Sequence, residues 1–370
     1  MTGRLPQAEG LDDAELVAIL ARGHQLRRRK RLGAATAIVA VVTLVAAALA
    51  VARRPSGHQA TDVLVSPRAQ GAGAPVTPAG TTWSFDGQRA GAVVTAASGG
   101  AALAGMVIGA DGEVWTVTTD GTVAAAVQGQ GLRTVATGLG RPAPCRPGCP
   151  GLLEPAITVD QHGQLFVSDP SSCTIHRVAP SGSVRLVAGN GRCSNSTPDV
   201  GRAAGSPIGR PASLTVDHLG SLFFVEADTG RVRKVDPAGN LSTLAAGLDA
   251  PAGIVLDQRG GLLVSEQGGT VVTLEASGAV QPFAGPTGPI VALLDQPGAL
   301  LVTGDGSLFV ADSGACAITR IRPRGTVRVV EVPGSCPASR PPAVLAVDRS
   351  DDIWFTNGKA LEVIVRGVDT

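Results

Sequence analysis

Four of the six cysteines fall into two pairs with one spacing: Cys173 and Cys193 stand twenty residues apart, and so do Cys316 and Cys336. Each pair flanks a strand, turn, strand segment, with Pro180-Ser181-Gly182 or Pro323-Arg324-Gly325 at the turn. Antiparallel pairing brings the open ends of such a hairpin together, so disulfides are expected within each pair. Cys145 and Cys149 lie in a Cys-Arg-Pro-Gly-Cys run, which could be half of a zinc site. No second Cys or His pair follows at ligand spacing, so a small disulfide-closed loop is expected there instead.

Carboxylates recur in two sets. Asp160, Asp217, Asp257 and Asp348 stand where a strand gives way to a tight turn, a position in which Asp caps backbone N–H groups two residues on. Asp169, Glu226, Glu266 and Asp312 each end the strand that follows. A ring of carboxylates built from that second set would suit a cation or a cationic ligand, whereas its regular repetition argues for scaffold work. Among the histidines, only His162, His176 and His218 lie in the repeated region, two of them in first turns. The sequence holds no His-Glu-x-x-His, no Gly-x-Ser-x-Gly and no phosphate-binding loop, and Gly189-Asn190-Gly191 lacks the third glycine of a dinucleotide fingerprint. No catalytic, cofactor-binding or metal residue is assigned, and no cofactor is expected.

The elements that carry these residues repeat. Pro211 to Val216 reads as a strand, Asp217 to Gly220 as a turn, and Leu222 to Glu226 as a second strand. Arg231 to Val235 and a strand ending near Leu244 complete a four-stranded antiparallel unit. The same order recurs around Asp160 to Gly182 and Asp257 to Gly278, and more loosely around Thr303 to Gly325, Asp348 to Asn357 and Met106 to Val117. Turn glycines roughly 40 to 57 residues apart match the period of propeller blades rather than of helical repeats. An all-β, six-bladed β-propeller over residues 81–370 is the fold expected. The last copy ends after three strands, so a segment between Thr81 and Ala97 is expected to supply its outer strand and close the ring.

Arg231-Val232-Arg233-Lys234-Val235-Asp236-Pro237-Ala238-Gly239 resembles the second half of an NHL repeat. The glycine-rich connector from Ala188 through Pro198-Asp199 to Pro211 is similar to linkers of bacterial NHL proteins, membrane-anchored or secreted. The likeness covers roughly residues 100 to 366 and implies a propeller without naming a ligand. Thr303 stands where the repeat usually has Asp, Asp351 replaces a turn glycine, and the first copy lacks the acidic strand end. Asp352-Ile353-Trp354-Phe355-Thr356 is similar to strands of streptogramin lyases, but their metal-dependent His and Glu find no convincing match. The chain has no tyrosine, unlike the amidating lyases built on NHL-like propellers.

Ahead of the repeats, residues 1–31 read as a short basic cytoplasmic segment ending in Arg27-Arg28-Arg29-Lys30-Arg31. Residues 32–52 carry no charge and as a helix would span about 30 Å, one bilayer core. The heavier positive charge on the N-terminal side places residues 1–31 inside and everything after the span outside. A cleaved signal peptide is the rival reading, through Ala48-Leu49-Ala50. Residues 53–80 mix Pro, Ala, Gly, Ser and Thr as a flexible extracellular linker. A net charge of +1 suggests no nucleic-acid surface. The expected function is a membrane-anchored extracellular module that binds or senses a protein, peptide or glycan, with a cytoplasmic partner available to residues 1–31. The alternatives are a surface-tethered lyase or hydrolase and a cell-wall scaffold.

Overall fold

The computed structural model describes residues 93–98 and 101–364, apart from 128–130, 145–151, 197, 276–277, 286–287, 290–293, 316, 324–326, 332–344, 348–351 and 358–359. The chain divides into a unit Met1–Ser66 and a unit Pro67–Thr370, and every described residue belongs to the second. The expected cytoplasmic segment 1–31, membrane helix 32–52 and linker 53–80 lie outside the described residues, as do Cys145, Cys149, Cys316, Cys336 and Asp348. Among the described residues no helix is long and apolar enough to cross a membrane.

Every regular element described is a strand. The first, β1 (Val93–Ser98), pairs with the far end of the chain. The first blade is the meander β2 (Leu103–Ile108), β3 (Val114–Thr118), β4 (Val123–Val127) and β5 (Gly131–Ala136). A two-stranded ribbon, β6 (Ala143–Pro144) and β7 (Leu152–Leu153), leads to the second blade: β8 (Ile157–Val159), β9 (Leu165–Asp169), β10 (Thr174–Val178) and β11 (Val184–Gly189). Strand β12 (Val200–Arg202) is added outside the third blade, β13 (Pro211–Val216), β14 (Leu222–Glu226), β15 (Arg231–Val235) and β16 (Asn240–Ala245). The fourth blade is β17 (Pro251–Leu256), β18 (Leu262–Glu266), β19 (Thr270–Leu274) and β20 (Val280–Pro282), followed by the ribbon β21 (Ala284–Gly285) and β22 (Gly288–Pro289). The fifth is β23 (Pro297–Val302), β24 (Leu308–Asp312), β25 (Ala317–Ile321) and β26 (Val327–Glu331).

Five blades are thus uninterrupted meanders, one fewer than the repeats counted in the sequence. The remaining repeat gives only β27 (Leu345–Val347), β28 (Ile353–Asn357) and β29 (Ala360–Ile364), and β1 completes that sheet in the order β1-β29-β28-β27. The pairing runs from Val93 opposite Ile364 to Ser98 opposite Ala360, so a segment of the expected region does close the last sheet. Adding β1 removes what would otherwise be an open edge on β29.

The second strand of each blade explains a feature of the sequence that alternation alone would misread. Leu222-Phe223-Phe224-Val225 is a continuous apolar run, and every residue of β14 is buried, as in β3, β9 and β24. Each such strand has a neighbouring sheet on both faces, so neither side can be polar. Phe224 packs towards the second blade and Phe223 towards the fourth. Comparable apolar clusters lie between the first and second blades, the fourth and fifth, the fifth and the composite sheet, and the composite sheet and the first.

Inner strands approach closely where glycine replaces a side chain. A Cβ built on Gly253 of β17 would lie 2.2 Å from the Gly298 carbonyl oxygen of β23, a distance no real contact reaches. The neighbouring Ser265 hydroxyl accepts from Gly253 N–H at 2.8 Å and donates to Gly298 O at 2.6 Å, stitching the two blades. Gly253→Ala is therefore expected to cost about 1–3 kcal/mol of stability through overpacking. Chemical unfolding of the variant and parent would measure it, and an unchanged midpoint would contradict the close approach.

Candidate functional site

The strand-end carboxylates occupy equivalent places, but each is engaged by its own neighbourhood. Asp169 Oδ1 accepts from Ser171 N and Oγ and from Ser172 N, at 3.0, 2.7 and 3.0 Å. Glu226 accepts from Thr229 Oγ1 at 2.6 Å and from Arg233 Nη1 at 2.9 Å. Glu266 receives Asp249 N–H at 2.9 Å and Thr270 Oγ1 at 2.6 Å. Asp312 receives Asp295 N–H at 2.9 Å and Gln296 N–H at 3.0 Å, one on each oxygen. Glu266 and Asp312 thereby tie their strand ends to the connectors that enter their blades, whereas Asp169 caps the loop that follows it and Glu226 pairs with Arg233. Among the described residues no group of three or more His, Cys, Asp or Glu side chains is arranged to hold a metal ion.

The first-turn acids cap their turns as their position predicts. Asp160 Oδ1 accepts from His162 N and Gln164 N, Asp217 Oδ1 from Leu219 N and Ser221 N, and Asp257 Oδ1 from Arg259 N and Gly261 N, all between 2.7 and 2.9 Å. The fifth blade keeps this turn with the acid moved two residues on. Thr303 donates its hydroxyl to Asp305 Oδ1, and Asp305 Oδ1 accepts from Ser307 N–H at 2.9 Å. Partial burial by itself would raise the Asp305 carboxyl, but hydrogen bonds from Thr303 and Ser307 and the Arg320 charge outweigh it and hold the group well below the usual range. Thr118 and Asp120 repeat the arrangement at the end of β3. The first blade's missing acid is thereby supplied from two residues further along, which a position-by-position reading of the repeat overlooks.

Cys173 and Cys193 form the expected disulfide, with Cα atoms 5.1 Å apart at the open end of the β10 and β11 hairpin. It anchors the connector of residues 190–210, which is tied at several further points. Arg233 donates to Pro198 O at 2.6 Å, and Asp199 accepts from Thr243 Oγ1 at 3.1 Å and faces Arg231 at 3.8 Å. Ala203 N–H bonds Gly239 O, and Gly189 and Cys193 form parallel bridges to Ala204 and Ile208. At its end Arg210 reaches back to Pro170 O of the second blade at 2.8 Å, while its N–H binds Asp228 Oδ1 at 2.8 Å.

Beneath this strap lies an ion pair that sequence reasoning missed. Arg233 and Glu226 are both fully buried, with Nη1 2.9 Å from Oε1. The one signal available was Arg233 itself, a charge that strand alternation places on the same face as the buried Val235. Burial pulls the Arg233 pKa down and the Glu226 charge raises it back in part.

The histidines divide as expected into two exposed turn residues, His162 and His218, and His176 in β10. Nδ1 of His176 is buried without a hydrogen-bond partner among the described residues. Burial lowers the imidazole pKa, and Asp169 offsets this only in part. An unfolded imidazole titrates at about 6.5, so as pH falls below that value the unfolded chain binds the proton before the native one does. Stability at His176 is therefore present above about pH 6.5 and lost as pH falls towards the lower native pKa. Unfolding midpoints measured from neutral to mildly acid pH should fall less steeply in His176→Asn than in the parent, and parallel curves would exclude the effect.

Radial sheets whose inner strands neighbour one another in sequence, with apolar cores between them, decide the architecture. The fold is a β-propeller. Solved structures agree: a streptogramin B lyase matches with TM-score 0.53 and 14% identity over 74% of this chain and 96% of that one. A gluconolactonase from Xanthomonas campestris matches with TM-score 0.53 and 16% identity, over 73% and 88%. A protein of unknown function from Bacteroides thetaiotaomicron gives 0.55 and 15%, over 73% and 74%. At such identities the likeness is one of fold alone. No family model and no curated protein sequence matches the propeller chain.

Proposed function

We propose that the chain is an outward-facing recognition module: a six-bladed NHL-type propeller, counting the composite sheet as a blade, held to the membrane by residues 32–52. In this reading its N-terminus is cytoplasmic, its propeller extracellular, and its ligand a protein, peptide or glycan. The observation that carries it is the connector 190–210. A segment with almost no regular structure is fastened by a disulfide, three arginine-to-carbonyl bonds and an ion pair, while its outer side chains, Val200 and Arg202 among them, stay exposed. Fastening a loop before a partner arrives reduces the entropy lost on docking, and binding surfaces sit on such loops carried by rigid scaffolds. The strand-end carboxylates fit the same reading, since their oxygens accept from scaffold donors, and Glu226 holds the arginine that fastens the connector at Pro198 O.

The similarity to a streptogramin B lyase and a gluconolactonase keeps a propeller lyase or hydrolase as the second reading. The deciding experiment screens the full-length chain in detergent against extracellular proteins, peptides and glycans, and assays it in parallel for turnover of lactone and cyclic depsipeptide substrates with added divalent metal. Saturable binding without turnover supports recognition. Metal-dependent turnover would replace it with the enzymatic reading.

A further inference from the structure

Among the described residues strand β12 is an open edge. It pairs there with β16 alone, Val200 opposite Ser242 and Arg202 opposite Asn240, and its three residues are all exposed. The bonds from Ala203 N–H to Gly239 O and from Thr243 N–H to Asp199 O show that odd-numbered positions face β16. By the alternation of an antiparallel ladder, the main-chain groups of Val200 and Arg202 point the other way. Arg202 O takes the Ser206 hydroxyl at 2.6 Å, which leaves the outward groups of Val200 and the Arg202 N–H for an added strand.

Beside that edge a groove of about 560 Å³ runs across the sheet, lined among others by Val200, Arg202, Lys234, Asp236, Asn240 and Ser242. The register places Val200, Ser242 and Lys234 in one cross-strand row. Both oxygens of Asp236 are taken by Asn240, at 2.7 and 2.9 Å. Lys234 instead lies over the Phe223 ring, 5.4 Å from its centre, and Arg202 binds only the neutral carbonyl of Ala238 among the contacts that hold it here. The groove thus carries two cations against one carboxylate, Asp236, whose oxygens Asn240 occupies and whose charge lies near Lys234. Val200, 72% exposed, adds an apolar contact at the rim.

We infer that the β12 edge and its groove receive an extended acidic peptide segment of a partner protein, which adds as a strand while a carboxylate meets Arg202 and the Lys234 charge favours it at longer range. The inference rests on the recognition reading above and names its ligand class and its site. Main-chain bonds to an edge supply affinity in this mode, and side chains at alternate positions supply selectivity. A second copy of the chain suits the site poorly, because a two-fold pairing of β12 with itself would bring two arginines and no carboxylate to the seam.

The test uses the full-length chain in detergent and a labelled synthetic peptide alternating valine and glutamate, with a valine and lysine peptide as control. The glutamate peptide should bind saturably and the lysine peptide should not. Arg202→Glu combined with Lys234→Glu should weaken binding by about tenfold or more, as loss of charge-assisted contacts implies. Val200→Pro, which removes an outward N–H and spares the β16 ladder, should weaken it as well, with the thermal transition of each variant unchanged. Equal binding by the charge-reversed chain, binding of the lysine peptide, no binding of the glutamate peptide, or concentration-dependent dimerisation through β12 would overturn the assignment. A partner found by the wider screen that binds the charge-reversed chain with undiminished affinity would remove this site and leave the recognition function standing. A screen with no binder would remove both.

Discussion

Glu226→Ala should destabilise the propeller by about 3–5 kcal/mol, the cost of leaving one member of a buried ion pair without its partner. Both side chains are fully buried and joined at 2.9 Å, so removing the carboxylate strands a guanidinium where water does not reach. Thr229 would lose its acceptor at the same time, since its hydroxyl rests on the other Glu226 oxygen. In a domain of this size 1 kcal/mol corresponds to about 2–4 °C, so the melting temperature should fall by about 10 °C. Glu226→Leu combined with Arg233→Met separates charge from packing. The double replacement should recover much of the loss, because apolar residues of similar volume can substitute for a buried pair. It should still loosen the connector, which loses the bond from Arg233 to Pro198 O. A single variant as stable as the parent would show that solvent reaches the pair, and a double variant no better than the single would place the cost in packing.

Cys193→Ala should cost about 3 kcal/mol, the chain-entropy value for opening a loop of this length. The sulfur bridge joins positions twenty apart, and Cys193 is only partly buried, so alanine there leaves little cavity to confuse the result. The local backbone is built around the bridge. Gly189 has φ +93°, and a Cβ on it would lie 2.1 Å from Cys173 O, so only glycine allows the chain to pass the bond so closely. The parent and the variant should unfold at the same point once both are treated with reductant. A variant that melts with the oxidised parent would mean that the polar ties alone hold residues 190–210. Loss of peptide binding at β12 in a still folded Cys193→Ala chain would show that the bridge also shapes the recognition surface.

Much of this molecule is legible from local chemistry. A turn that needs a capped N–H and a positive φ selects Asp followed by Gly within four residues, so the repeats announce themselves in Asp217-His218-Leu219-Gly220 and its relatives. Strands covered on both faces must be apolar throughout, so Leu222 to Val225 could be placed before any coordinates. Hairpin ends must meet, so the twenty-residue spacing was sufficient for Cys173 and Cys193. These features are decided within a few residues or a single hairpin, and a linear reading reaches them.

Other features depend on what a distant segment brings. The sequence pattern could say that the last repeat lacked a strand, but which residues of the N-terminal region pair with Ala360 to Ile364 depends on the sheets having come round to meet them. The acid displaced to Asp305 caps its turn through local donors, but its ion pair at 2.8 Å is with Arg320, on another strand. Strand-end carboxylates look like a ring along the chain, yet each one's role is set by the donors folded around it: Arg233 for Glu226, the entering connector for Asp312. The edge of β12 is the clearest case. Val200-Gly201-Arg202 has no strand signature of its own, and it becomes one because the disulfide and the buried arginine hold the connector against β16. Local propensity is summed over neighbours in sequence, whereas an open edge, a buried charge and a groove exist only between segments that folding makes neighbours in space.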